Sequence, residues 1–350
     1  MRLIFMGYHN VGYACLEELI DLCAHFGDEI VAVVTHADDP QENRWFASVR
    51  DLAFDNYLPV YQPQDANDPE FVEVMRRLDS DFLFSCYYRH MLKKPLLDLP
   101  SRGALNLHGS LLPRYRGRCP VNWVLINGEQ ETGVTLHYME EKPDKGNIVG
   151  QERVAIQPED TALTLFARMT VAAGTLIREA YPLLRAGTAP RLPQDQSLAS
   201  YFGGRGPSDG LISWDKDALA VYNLVRAVTH PYPGAFTYLW GKKLYIWAGK
   251  ALADPATEPP GGPRQPGLVG AHIPGEGLLV TTGLGHFLIT QTQWEGQPEF
   301  LGPVIATWDY LVGERLGEKG EKGKGGKGFK DFPLDRKTLQ ANIEDKVRKQ

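Results

Sequence analysis

Short, wholly apolar runs alternate with longer segments of helical periodicity through the first half of the chain, which predicts a parallel βα arrangement. Leu3–Met6 and residues 29–35 read as buried strands, and residues 58–61 and 81–86 continue the series. Between them, residues 11–26 carry Leu16, Leu19, Ile20 and Cys23 at helical spacing, and residues 47–56 and 69–78 are further helices. Strands this apolar belong at the centre of a sheet covered by helices on both faces. Residues 103–108 form another strand, but here Asn106 and His108 interrupt the apolar run. Their spacing points both side chains to one face. A helix over 119–127 closes on Asn127-Gly128. Strands over 132–139 and 148–156 flank a polar loop, 140–147, and a long helix spans 161–185 behind the cap signal Pro158-Glu-Asp-Thr161.

The pattern changes after Ala186. Gly, Pro, Gln and Ser dominate up to Gly210, the composition of a linker. One helix follows over 218–229, then short β-type runs at 235–240, 244–248, 278–282 and 287–293, as in a small barrel or sandwich. Residues 313–330 are rich in Gly, Lys and Glu, and the alternation of the two charges predicts a solvated, disordered spacer. The expected organisation is a catalytic α/β domain over 1–190, a linker over 191–210, a β-rich domain over 211–311 and a dispensable tail over 312–350.

Length and composition agree with that division. A chain of 350 residues is long for one domain, and 43% hydrophobic with 23% charged residues is ordinary globular usage. A net charge of −6 offers no electrostatic footprint for duplex or tRNA binding. The apolar run at Met1–Met6 stops at Gly7, too short for a signal peptide, and no later run approaches membrane-spanning length. Cys15, Cys23, Cys86 and Cys119 lie in no C-x-x-C pair, which favours free thiols in a reducing cytoplasm. The histidines, among them His9, His36, His90 and His137, form no metal-binding spacing, so no metal is expected.

Three motifs bear on chemistry. Gly7-Tyr-His-Asn-Val-Gly12 follows the first strand but is neither G-x-G-x-x-G nor a P-loop, and reads as a tight strand-to-helix turn. His108-Gly-Ser110 lacks the G-x-S-x-G of a serine nucleophile elbow, leaving Ser110 to shape the turn. Asn106, His108 and Asp144 together are the parts acyl transfer needs. An amide donates to an oxyanion, an imidazole moves protons near neutral pH, and a carboxylate orients or charges that imidazole. The same residues would also serve a hydrogen-bonded strand end and a plain turn in Lys142-Pro-Asp-Lys-Gly146.

The wider motif narrows the choice. Ala104-Leu-Asn-Leu-His-Gly-Ser-Leu-Leu-Pro-Arg-Tyr-Arg-Gly117 resembles the signature of the folate-dependent formyltransferases. Ser85-Cys-Tyr-Tyr-Arg-His90, Arg116-Gly-Arg-Cys-Pro-Val-Asn-Trp123, Asn127-Gly-Glu-Gln-Glu-Thr-Gly-Val-Thr-Leu-His137, Tyr201-Phe-Gly-Gly-Arg-Gly-Pro-Ser-Asp209 and Leu224-Val-Arg-Ala-Val-Thr-His-Pro-Tyr-Pro-Gly-Ala-Phe236 resemble the members acting on UDP-4-amino-4-deoxy-L-arabinose. The resemblance covers residues 1 to 310. It departs at Cys119, where those members carry Ala, and the chain shows no decarboxylating dehydrogenase domain like that fused to some of them.

The resemblance implies a Rossmann-like domain that uses 10-formyltetrahydrofolate as co-substrate and a C-terminal OB-like β-barrel. It places Asn106, His108 and Asp144 at the catalytic positions, and His90, Met91, Leu92, Arg118, Glu140, Glu141, Lys142, Pro143 and Asp144 along the folate site. The implied acceptor is a nucleotide-linked amino sugar, one destined for lipid A or lipopolysaccharide. Another amino sugar or initiator methionyl-tRNA is the alternative. For the sugar, the polar loop 36–45 and Tyr87, Tyr88 and Arg89 are candidates, since aromatic rings and Arg suit a sugar diphosphate. A homo-oligomer is left open.

Overall fold

The apolar run at the N-terminus becomes strand β1 (Arg2–Gly7), whose Leu3, Ile4, Phe5 and Met6 are wholly buried. The computed structural model describes residues 1–39, 43–254 and 264–317, and these divide into two units. The first comprises residues 1–124 and 129–205, the second residues 125–128 and 206 onward.

In the first unit β1 leads into α1 (His9–Phe26), β2 (Glu29–Val34), α2 (Val49–Asp55), β3 (Val60–Tyr61), α3 (Pro69–Arg76), β4 (Phe82–Cys86), α4 (Lys94–Leu97) and β5 (Gly103–His108). Then come β6 (Arg116–Gly117), α5 (Pro120–Ile126, whose last two residues count with the second unit), β7 (Glu131–Tyr138), β8 (Ile148–Ala155), α6 (Ala162–Ala186) and β9 (Tyr201–Phe202). Helix α1 forms because Val11, Cys15, Leu16, Leu19 and Cys23 fall on one buried stripe, and it stops at Gly27, whose φ of 69° satisfies the left-handed cap. Helix α2 starts later than the pattern predicts, because Ser48 is its cap and accepts the Asp51 N–H at 3.1 Å. Reciprocal bonds between Thr161 and Thr164 open α6.

Seven strands form one sheet in the order β3-β2-β1-β4-β5-β7-β8. It is parallel from β3 to β5, as the first-half pattern predicts, and turns antiparallel at β7 and β8. The register of β5 on β7 sets Asn106 opposite His137 and His108 opposite Thr135.

Residues 191–205, expected within a linker, are tied into this unit. Leu192 and Ile148 exchange backbone bonds of 2.9 and 2.8 Å, and β9 runs parallel to β6. The compositional signal reported turns rather than freedom.

The second unit holds α7 (Ala218–Val228), β10 (Ala235–Leu239), β11 (Lys242–Leu252), β12 (Val269–Ile273), β13 (Gly277–Thr281), β14 (His286–Trp294), β15 (Glu299–Leu301) and α8 (Gly302–Ile305). The strands are antiparallel in the order β10-β11-β14-β13-β12, with β15 also on β14. Strands β12 and β15 escape the hydrophobic pattern, being short and interrupted by polar residues or Gly. Residues 313–317, placed by composition in the tail, instead link the two edges of this sheet. Val269 N–H donates to Glu314 O at 2.9 Å and Leu316 N–H to Gly267 O at 2.8 Å, while Tyr238 and Gly317 exchange bonds of 2.9 and 3.0 Å. These bonds cover part of each sheet edge. The remainder of the expected tail lies outside the described residues.

Leu316 is the one apolar side chain of that closing segment and is buried. Leu316→Ala is expected to destabilise the second unit by about 2–4 kcal/mol, measured by urea unfolding. A change under about 0.5 kcal/mol would show that the closing segment adds nothing.

Candidate active site

Strands β1, β4 and β5 end side by side at Gly7, Cys86 and His108. The chain proceeds from β1 outward through β2 to β3, then crosses to β4 on the other side of β1, so the sheet reverses direction there. Ligands of open α/β sheets bind at such reversals, beyond the carboxyl ends of the strands. Gly12 lets α1 approach closely, since a Cβ on it would stand 3.1 Å from the Cys86 carbonyl oxygen. That need accounts for the glycines after β1 without a phosphate loop.

The structure brings Asn106, His108 and Asp144 together. His108 is buried, and its Nε2 lies 2.8 Å from the Tyr115 carbonyl oxygen. A carbonyl carries no proton, so Nε2–H is the donor and Nδ1 is the ring nitrogen left for exchange. Nδ1 faces Asp144 Oδ1 at 3.5 Å. The other carboxylate oxygen accepts the Gly117 N–H at 2.9 Å. Asn106 Nδ2 lies 3.2 Å from His137 Nε2.

Asp144 is presented on a backbone that needs support, with φ at 58°. The support comes from a buried guanidinium. Arg116 is fully buried and donates through Nε and Nη2 to Gln194 Oε1 at 3.2 and 2.5 Å and through Nη1 to Gln196 Oε1 at 3.0 Å and the Tyr201 hydroxyl at 2.5 Å. Gln194 passes the restraint on, its Nε2 donating to the carbonyls of Asp144 and Gly146 at 2.9 and 2.8 Å. The Asp144 loop is thus clamped from the segment that sequence assigns to a linker. All these acceptors are neutral oxygens, so the charge of Arg116 remains as a positive potential beside the site.

The other sequence candidates fall around this centre. Leu92 is buried in a core cluster that also takes in Ala104, Tyr88 and Met139, while Met91 leaves 60% of its surface exposed. His90 is exposed and packs 4.7 Å from the His36 ring. Arg118 sits on the exposed side of Gly117 against Gly204, and Glu140, Glu141, Lys142 and Pro143 are exposed ahead of Asp144. Tyr87 lays its hydroxyl against Gly109, next to His108. Tyr88 stacks on His36 with centroids 4.1 Å apart, and Arg89 lies over the Tyr8 ring at 4.5 Å. Residues 40–42 of the 36–45 loop lie outside the described residues. His137 stands in the sequence only as the last residue of the 127–137 block, with no role attached, and Gln194 carries no signal, because each enters through strand register or a returning segment. Among the described residues no cluster of His, Cys, Asp and Glu is placed to hold a metal ion, and no helix is long and apolar enough to cross a membrane.

Residues 1–180 match the family described as Formyl transferase, and residues 206–304 match Formyl transferase, C-terminal domain. The chain belongs to the formyl transferase family and is a formyltransferase. Its fold is similar to that of an N-formyltransferase from Helicobacter canadensis solved with folinic acid and dTDP-3-aminofucose. That match has a TM-score of 0.60 at 20% identity, covering 83% of this chain and 99% of the other. It is also similar to WlaRD, a sugar 3N-formyl transferase solved with dTDP and 5-N-formyl-THF, with a TM-score of 0.58 at 18% identity over 85% and 99% of the two chains. HypX from Aquifex aeolicus, solved with tetrahydrofolic acid, matches with a TM-score of 0.57 at 17% identity over 89% of this chain and 47% of that one.

Burial holds three histidines of the first unit, His9, His36 and His137, down from 6.5 to about 4. Nearby Arg89 adds to the effect at His9 and His36. The unfolded chain therefore binds protons that the folded unit refuses. Stability is whole above pH 6.5 and falls as the pH drops toward 4, by up to about 1.4 kcal/mol per pH unit for each histidine and less for the partly exposed His9 and His36. Urea unfolding across that window tests this; a flat profile from pH 7 to 5 would contradict it.

Proposed function

We propose that the protein transfers a formyl group from 10-formyltetrahydrofolate to the amine of a nucleotide-linked amino sugar, UDP-4-amino-4-deoxy-L-arabinose being the favoured acceptor. The observation that carries the reading is the convergence of Asn106, His108 and Asp144 at the strand ends of a formyl transferase domain. The folate donor is supported by the family. The sugar acceptor is supported by the relatives solved with nucleotide sugars or dTDP. The choice of arabinose rests on the sequence blocks at 85–90, 116–137, 201–209 and 224–236. Tyr87 and Arg89 would flank the acceptor.

The free amine attacks the formyl carbon, a C–N bond forms, and the carbonyl oxygen becomes an oxyanion. Asn106 Nδ2–H donates to that oxygen, a contribution of about 3 kcal/mol for one such donor. His108 Nδ1 takes the proton released by the amine and returns it to the folate nitrogen as the C–N bond to the donor breaks. Such proton transfer contributes roughly 10²–10⁴ in rate. Asp144 stabilises the imidazolium formed in between. The products are the formamide and tetrahydrofolate, so atoms and charge balance without a metal or redox partner. Acceptance of methionyl-tRNA would need a basic surface that a net charge of −6 does not supply.

A panel of UDP-, dTDP- and GDP-linked amino sugars incubated with 10-formyltetrahydrofolate and read by mass spectrometry tests the reading. One acceptor, UDP-4-amino-4-deoxy-L-arabinose, should gain one formyl group; modification of another sugar alone would move the assignment, and modification of none would reject it. Asn106→Ala and His108→Ala should each lower kcat by roughly 10²- to 10³-fold while leaving the fold intact. Near wild-type turnover in both variants would overturn the mechanism.

A further inference from the structure

We infer that His137 is a positioning residue for Asn106, fixing which face of the side-chain amide meets the reacting carbonyl. The inference rests on the formyl-transfer reading and adds a residue to it.

His137 is buried on β7, and its Nδ1 lies 2.8 Å from the Tyr138 carbonyl oxygen. That oxygen can only accept, so Nδ1 carries the proton. In a neutral ring Nε2 is then a bare lone pair, and burial keeps the ring neutral by holding its pKa down to about 4. The lone pair faces the Asn106 amide at 3.2 Å. Of the two ends of that amide only the nitrogen can donate to it; the flipped amide would set oxygen against a lone pair. Strand register supplies the placement, since Asn106 and His137 are direct partners across β5 and β7.

The consequence lies in the amide's second N–H. The Asn106 side chain makes no other hydrogen bond within the described residues, so one N–H of Nδ2 is spent on His137 and the other is left to donate. An oxyanion needs that donor. The carbonyl end of a freely rotating amide would repel the same charge. His137 thereby selects, before substrate arrives, the one of two nearly isosteric amide orientations that stabilises the transition state. Asp144 Oδ1, 3.8 Å from His137 Nε2, stands on the acceptor side of the same cluster and offers no donor to compete for the ring.

His137→Met removes the acceptor at similar length, while His137→Gln can return an oxygen near the Nε2 position. The expected result is a kcat lowered by roughly 10- to 100-fold in H137M, with KM for both substrates unchanged, and substantial recovery in H137Q. If His137 acts through Asn106, adding H137M to N106A costs nothing further. Wild-type kcat in H137M, or a full additional loss in the N106A background, would overturn the inference. Nitrogen-15 spectra of the histidine rings read the same point without turnover. At pH 7 His137 should show a protonated Nδ1 and a bare Nε2, and a doubly protonated ring or the opposite tautomer would also overturn it. An absence of formyl transfer by the wild-type protein would reject the underlying reaction while the spectra still decided the geometry.

Discussion

Everything in the candidate site depends on one pairing, the antiparallel register of β5 against β7. The five parallel strands before it deliver Asn106 and His108 to the carboxyl edge of the sheet, as they would deliver any residue at a strand end. An antiparallel neighbour then does what another parallel strand could not. It returns along the same edge, sets His137 against Asn106 and Thr135 against His108, and runs directly into the loop that bears Asp144. A slip of one residue would turn every one of these side chains to the opposite face. Burial of Leu105, Leu107, Val134 and Leu136 between the polar positions makes such a slip costly, so the hydrophobic core sets the geometry of the polar cluster.

Register alone does not hold Asp144, which sits beyond the end of β7 with its backbone in the left-handed region. The hold comes from Arg116 through Gln194, a chain of neutral acceptors around a fully buried cation. Removing any member leaves polar groups buried without partners, at about 1–3 kcal/mol each. The arrangement favours a fixed carboxylate over a mobile one, as a reaction with short-lived charge requires. It also keeps a positive charge near the three groups without placing a competing carboxylate among them.

The strands and helices of the first unit were legible because their apolar residues repeat with the period of the element they form, as at Leu3–Met6 and along α1. Asn106 and His108 were legible for the converse reason: polar side chains broke an apolar run where the sheet opens to ligands. Asp144 is legible only as a possible partner of that pair, since a turn aspartate has no local mark, and the resemblance decides between the two readings. His137 was hidden because its meaning lies in its cross-strand partner, which no local pattern records. Gln194 and the segment 191–205 read as linker because Gly, Pro and Gln mark turns whether or not the chain is tied down. Residues 313–317 were likewise read from composition, while one buried leucine and backbone pairing decide their place.

The central claim is that Asn106 and His108 meet the reacting formyl group. A crystal structure with 5-formyltetrahydrofolate, a stable relative of the proposed donor, tests it most directly. The account predicts a formyl oxygen within about 3 Å of Asn106 Nδ2 and a formyl carbon on the Nδ1 side of His108, with the Asn106–His137 contact retained. A folate seated elsewhere, or one whose formyl group faces away from both side chains, would contradict it.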